Sequence, residues 1–310
     1  MVRDQANIEA DIEARAEVDH EKSVAAEGFP IVRHPLHASR LPVLVSIPHF
    51  GTQRIAGVRD VDFADAAYRQ FPRGYTDAFA REIYGDLNQV GATVLATPFS
   101  RLFVDVNRKR SDYKVVGGHV RSRRGVVRTH IVDDRPLFSE PLSTHAVEER
   151  LAQYYDPYHN ALERLVAQML DKHRAGLVLD AHTGSEKGMR EHQIIIGTRG
   201  GVTASELLRD TVGDVFVRHG FEVHHDVPGY SGAHIVRRWG RDKESSLDAI
   251  QIEINSGMLM TVPRREYFAR IDRGEPLAVN LEVLDRLRQC LSEVVRCAGA
   301  VIGAVVAAKG

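Results

Sequence analysis

The sequence predicts an α/β protein, a three-layer αβα sandwich with a mainly parallel mixed central sheet. Three observations predict it. Short, almost wholly apolar and often β-branched runs recur along the chain: VLVSI at 43–47, ATVLAT at 92–97, GLVLDAH at 176–182, QIIIG at 193–197 and AIQIEIN at 249–255. Such runs are expected of strands buried on both faces. Helical patterns of ten or more residues alternate with them, and no internal repeat or low-complexity linker divides the chain. Residues 31–310 therefore read as a single α/β domain, preceded by a helical extension over residues 1–30.

The elements follow in order. Residues 4–23, rich in Ala, Glu and Asp, suit an exposed or partner-packed helix that Gly28 and Pro30 end. VLVSI stops at Pro48-His49-Phe50-Gly51. YTDAFAREIYGDLNQV, 75–90, carries apolar residues at helical spacing, with Gly91 placed as its C-cap. After ATVLAT, Leu102, Val104 and Val106 alternate with Arg101, Phe103, Asp105 and Asn107, which predicts a further strand with a polar set on one face. Residues 109–135 are basic and Gly-punctuated, an excursion from the sheet containing a hairpin. A long helix is expected from about Leu142 to His173, kinked or split at Pro157. Beyond GLVLDAH and QIIIG come a helix near 203–219, the strand FEVHHD, the loop PGYSGAH, AIQIEIN, and a final helix from about Leu277.

Composition excludes several functions. A chain of 310 residues with 43% hydrophobic and 27% charged content can bury a sizeable core. Its formal net charge of -1 supplies no global field to attract nucleic acid or membrane or to repel anions, so charge selectivity must be local. Cys290 and Cys297 are the two cysteines, seven apart on one face of a helical pattern and beyond disulfide reach. They read as small buried apolar residues, so any metal falls to His and carboxylate. The N-terminus is charged throughout and lacks a signal-peptide pattern, so a cytoplasmic location is expected. AGAVIGAVVAA, 298–308, is about half the length of a bilayer span and reads as a packed helix end, with no membrane partner.

Polar residues stand where burial does not call for them: His49 after VLVSIP, Asp180 and His182 in LVLDAH, Glu253 and Asn255 in IQIEIN, and Asn107-Arg108 after LFVDV. At one edge of one sheet they would need pairing, hydrogen bonds or a metal. His49 alone suits a sharp turn, whereas with His182 it suits a metal ligand. Asp180 shares a strand face with His182 and can orient it instead of binding metal. Two histidines and a carboxylate would leave one position of a catalytic zinc site for water. Asp77 is the candidate, with helix N-capping as its other reading. Glu253 projects from the polar face of IQIEIN, as a general base beside the metal or as half of a structural ion pair. Arg108, near Arg101 and Asn107, offers a planar fork for a carboxylate or simply leads the exposed basic run.

Other motifs carry less. His145 and Glu148 open a helical pattern as surface residues, and His224 and His225 point opposite ways on a strand. RSRRGVVR, 121–128, lacks interleaved aromatics and suits an anionic substrate better than a nucleic acid.

SIPHFG, the TD of YTDAF, SRLFVDVNR, LDAHTG, GYSGAHIVRRWGR and LDAIQIEIN occur in the order found in N-formylglutamate amidohydrolases, so the chain resembles that family over roughly Leu41 to Met260. The resemblance implies a zinc-exopeptidase-like fold, similar to zinc carboxypeptidases and aspartoacylase-like deacylases. It implies one zinc ion, with His49 and His182 at ligand positions, Glu253 as catalytic glutamate, and Asn107-Arg108 gripping a substrate carboxylate. Zinc carboxypeptidases carry HxxE at the first ligand; here Thr52 stands three residues after His49, which leaves the third ligand to Asp77. The expected reaction is hydrolysis of N-formyl-L-glutamate to formate and glutamate in amino-acid catabolism, in histidine degradation. Arg101 is expected at the oxyanion, and Arg237 or Arg238 beside Arg108 at the substrate carboxylate. The partner is a small N-acyl amino acid, with homo-oligomerisation open. Rival readings are a deacylase or carboxypeptidase for another N-acyl amino acid or peptide, and a metal-binding relative without turnover.

Overall fold

Alternation along two nine-residue strands organises the molecule. In Leu247–Asn255 the isoleucines 250, 252 and 254 enter one core, while Ala249, Gln251 and Glu253 face the other side. Gly176–Gly184 does the same, with Leu177, Leu179 and Ala181 on the first side and Val178, Asp180 and His182 on the second. The computed structural model describes residues 29–36, 40–131, 133–185, 187–241, 246–273, 275 and 278–308; the helix expected over 4–23 lies outside them.

Among the described residues the strands are β1 (Ile31–Arg33), β2 (Val43–Ile47), β3 (Thr93–Ala96), β4 (Lys114–Val116), β5 (His119–Arg121), β6 (Gly176–Gly184), β7 (Ile194–Gly197), β8 (Val223–His225) and β9 (Leu247–Asn255). Seven form the central sheet in the order β1-β3-β2-β6-β9-β7-β8. Its pairs are parallel except β1 with β3 and β7 with β9. The sheet is therefore mixed and mainly parallel. β2, β6 and β9 run the same way in adjacent positions, with Ser46 opposite Asp180 and His182 opposite Glu253. Their carboxyl ends consequently open at one edge.

Helices cover both faces. α1 (Ala80–Tyr84), α2 (Thr144–Arg150), α3 (Asp156–His173), α4 (Glu206–Arg218), α5 (His234–Trp239), α6 (Arg264–Asp272) and α7 (Leu281–Ala307) are the main ones. α1, α4 and α7 pack on the isoleucine side, α3 and α5 on the other. α7 is long and apolar enough by composition to cross a membrane. Its buried residues Leu284, Leu287, Leu291, Val294, Ala298 and Ile302 instead recur at helical spacing against the sheet layer. Burying each such leucine stabilises the fold by about 1.5–3 kcal/mol. Cys290 and Cys297 are both free.

Two expectations need correction, and the break expected at Pro157 is present. The helix over 75–90 starts only at Ala80, because the Thr76 hydroxyl donates to the carbonyls of His49 and Phe50 and the Asp77 amide to His49. These bonds tie Thr76-Asp77 to the turn after β2 instead of to a helix. LFVDV forms turns, not a strand; its alternation arises because Leu102 and Phe103 enter a satellite apolar cluster, while Val104 and Val106 pack under α3. The helix before β6 is interrupted by a π-turn at Leu151–Tyr155, where Pro157 lacks the amide that would bond back to Gln153. β4 and β5 form the expected hairpin around Gly117-Gly118, both at positive φ. Edge strand β1 and helix α6 were not anticipated.

His159 on α3 is 4% exposed, and its Nε2–H donates to the Val106 carbonyl at 2.8 Å. Burial lowers its pKa to about 4, below the 6.5 of an exposed imidazole. The unfolded chain therefore binds the proton more readily, so this contribution to stability is full above pH 6.5 and is lost as pH falls towards 4. Between pH 7 and pH 5 the loss is about 2 kcal/mol. Urea titrations at the two pH values should show a smaller difference for His159→Gln than for the wild type; identical differences would mean that another group carries the effect.

Candidate active site

His49 follows β2 by one proline, and a close backbone approach fixes its turn. A Cβ on Gly51 would lie 2.4 Å from the Pro98 carbonyl carbon and 2.5 Å from the Phe99 oxygen. Glycine is thus required by space. Asp77 arrives through the Thr76 hydrogen bonds, and Arg264 of α6 holds the same segment by donating to the carbonyls of Gly74 and Thr76. His182 projects from β6.

These three meet. His49 Nδ1 lies 3.2 Å from His182 Nδ1 and 3.7 Å from Asp77 Oδ2, and His182 Nδ1 lies 2.9 Å from Asp77 Oδ2. All three residues are buried. Four donors at zinc's bond lengths of about 2.0–2.1 Å in a tetrahedron are roughly 3.3 Å apart, so the triangle has the size and the donor set of such a site. The far nitrogen of each ring faces another carboxylate: His49 Nε2 is 2.7 Å from Asp105 Oδ1, and His182 Nε2 is 3.1 Å from Asp180 Oδ1. For His49, an Nε2–H directed at Asp105 leaves the Nδ1 lone pair aimed at the shared point, while His182 Nε2 also lies 3.0 Å from Asn107 Nδ2. The residues fit a divalent metal.

The electrostatics are those of buried, mutually dependent charges. Burial pushes the Asp77 and Asp105 carboxyls up, but the histidines beside both, and for Asp105 also Arg101 and Arg108, outweigh it and hold them below the usual carboxylate range. Burial pushes His182 down, and Asp180 and Asp77 reverse this and raise it well above 6.5. Glu253 is different. Burial raises its pKa to about 8, opposed by His182 and assisted by Asp77 and Asp180. Gln251 Nε2 donates to Glu253 Oε1 at 3.0 Å.

A cavity of about 1060 Å³ brings together His49, Asp77, His182, Glu253, Arg101, Asn107, Arg108 and Arg237. Arg101 reaches Asp77 Oδ1 and Asp105 Oδ2, each at 3.4 Å. Arg108 stands 3.6 Å from Asp105 Oδ2. Arg238 is not part of the lining; it pairs with Glu163 of α3 at 3.1 Å and lies over Trp239. Asn107 lines the cavity and also bonds to protein partners. Its Nδ2 donates to Asp180 Oδ2 at 2.8 Å and its Oδ1 accepts the Ile235 amide at 2.9 Å, so it braces the histidine end of β6 against α5. His145 is exposed beside Glu149, and Glu148 bonds to Arg110 and Tyr113.

Sequence reasoning missed Asp105, Gln251, His234 and Arg264 as part of this site, and read the run RSRRGVVR as suited to an anionic substrate without singling out Arg128. For Asp105 a signal existed: an acid inside the apolar run LFVDV has to be buried and therefore partnered. Arg128, Arg264 and His234 line the cavity from loops and short helices whose position no local pattern reveals.

A family model described as N-formylglutamate amidohydrolase matches residues 41–260. An N-formylglutamate deformylase of Pseudomonas putida is 28% identical over 267 residues, 82% of this chain and 94% of that protein. One of Pseudomonas aeruginosa is 25% identical over 269 residues, 82% and 91% of the two chains. The crystal structure of an N-formylglutamate amidohydrolase from Ralstonia eutropha shares the fold, with a TM-score of 0.68 at 24% identity over 86% of this chain and 98% of that one.

Gly51→Ala tests the packing under His49. Because the colliding atoms are backbone, the variant should lose about 1–3 kcal/mol, seen as a melting temperature lower by several degrees in calorimetry. An unchanged transition would show that the turn can shift without loss.

Proposed function

Because the chain belongs to the N-formylglutamate amidohydrolase family, we propose that it hydrolyses the amide bond of an N-formyl acidic amino acid, N-formyl-L-glutamate to formate and L-glutamate, with one zinc ion held by His49, Asp77 and His182. The observation that carries this reading is the convergence of His49 Nδ1, His182 Nδ1 and Asp77 Oδ2 beside the cavity. Zinc bound there would polarise the acyl carbonyl and acidify a water molecule.

The chain's own residues do the rest. Glu253 takes a proton from the attacking water and returns it to the departing nitrogen, and a carboxyl raised towards neutrality suits both transfers. Arg101, held by Asp77 and Asp105, faces the oxygen on which negative charge develops. Arg108, with Arg237 also in the cavity lining, binds the carboxylate of the substrate and fixes the amide against the donors. Asp105 and Asp180 keep the two imidazoles in the tautomer that binds metal. The cavity is large for a ligand of this size, which makes N-acetyl and N-succinyl amino acids the comparison substrates.

Purified, metal-assayed protein should release formate from N-formyl-L-glutamate, lose that activity on chelation and regain it with zinc. Glu253→Gln should keep one zinc per chain and lower kcat by about 10²- to 10⁴-fold. Full activity in that variant would remove Glu253 from its role. Asp180→Asn should weaken zinc binding by about 10- to 100-fold in competition with a chromogenic chelator. Arg108→Ala should act mainly on KM.

A further inference from the structure

An acidic amino acid derivative carries two carboxylates, and Arg108 accounts for one. Arg128 is 7% exposed, lines the cavity, and lies in the basic run RSRRGVVR. Its Nη1 donates to the Arg123 carbonyl at 2.8 Å and its guanidinium covers the Tyr75 ring at 4.6 Å. Its Nε is buried without a hydrogen-bond partner, and no carboxylate among the described residues lies within ion-pairing distance of it. Arg101, His49 and His182 each have a carboxylate beside them. Arg101 and Arg108 share Asp105, so that carboxylate is already engaged, and both repel the charge of Arg128.

The position is built. Gly125 permits a backbone approach to Asp112, whose carbonyl a Cβ would meet at 1.8 Å, and the Val126 amide donates to that carbonyl. The Asp105 amide donates in turn to the Val126 carbonyl at 2.7 Å, and Val126 and Val127 are wholly buried. The loop is thus fastened to the segment that supports His49, and Tyr75, two residues before Asp77, forms the floor under the guanidinium. A desolvated cation held in this way, facing a cavity and lacking a counter-ion among the described residues, is costly unless a ligand supplies the anion.

We propose that Arg128 binds the second carboxylate of the substrate and so restricts the site to N-acyl dicarboxylic amino acids. This rests on the reading of the cavity as an N-acyl amino acid hydrolase site. Arg128 acts as a specificity residue, presenting a planar fork whose plane is fixed by Tyr75.

The test compares N-formyl-L-glutamate with N-formyl-L-glutamine in formate release by the zinc-loaded full chain, and L-glutamate with L-glutamine in titration calorimetry. Wild type, Arg128→Met, Arg128→Lys and Arg237→Met are compared. Arg128→Met keeps an aliphatic body over Tyr75 and should lower kcat/KM for the glutamate substrate by about 100-fold, chiefly through KM, with the glutamine substrate changed by less than about threefold. The Kd for glutamate should rise by a similar factor while that for glutamine stays put. If Arg128→Met fails to fold, Arg128→Lys decides, with about a tenfold loss confined to the glutamate pair. Equal losses on both substrates, an unchanged preference, or a collapse of preference in Arg237→Met instead would overturn the assignment. Should no N-formyl amino acid be hydrolysed, the functional reading fails, and the glutamate-against-glutamine difference in binding still decides the role of Arg128.

Discussion

Asp105 is fully buried, with His49 Nε2 2.7 Å from one oxygen and Arg101 and Arg108 beside the other. Remove those partners and a carboxylate would be stranded in the interior, which no other part of the fold could offset. The arrangement therefore constrains its neighbours. His49 must keep its Nε2 on Asp105, so its Nδ1 points to His182 and Asp77. Arg101, drawn between Asp105 and Asp77, must lie over the same point. Asp180 repeats the pattern on the far side, with Asn107 as the extra donor that its second oxygen needs.

The sheet makes this clustering possible. Three adjacent parallel strands end together, and the two-residue period of β6 and β9 places Asp180, His182, Gln251 and Glu253 on one face in register. On the opposite face the same strands present mostly apolar side chains to α1, α4 and α7, with Asp248 accepting the Ser205 amide before α4 and Thr183 donating to the Ala78 carbonyl. One face is thus free to carry charge because the other supplies most of the apolar contact.

The strand-borne half of the site was legible in the sequence for this reason. His182 and Glu253 interrupt apolar runs at period two, and His49 ends such a run, so burial and direction follow from local pattern alone. What local pattern did not reveal depends on contacts between distant segments. The periodicity of 75–90 is helical, yet Thr76 and Asp77 bond to the turn at His49, 27 residues away for the first of these bonds. LFVDV alternates like a strand but divides its side chains between two clusters. Arg237 and Arg238 are adjacent on α5, and nothing short of the helix's placement against α3 decides that the first enters the cavity and the second meets Glu163. Arg128 is one of several arginines in a basic run, distinguished only by its burial.

A short helix sets the relation between Glu253 and the histidine end of β6. The amide of Ala233, at the start of α5, donates to Gln251 Oε1, and Gln251 passes a hydrogen bond on to Glu253. Two residues later the amide of Ile235 donates to Asn107 Oδ1, and Asn107 passes one on to Asp180 beside His182. Both amides belong to the first turn of a helix, where they have no intrahelical acceptor, so side-chain acceptors satisfy them without breaking other bonds. Each amide is thus linked through one side-chain amide to a charged group of the site. Because both chains start from the same turn, a displacement of α5 would move Glu253 and the histidine support together. Their separation is therefore held by the backbone of one element, while loops around the cavity remain free to differ in the substrate they admit.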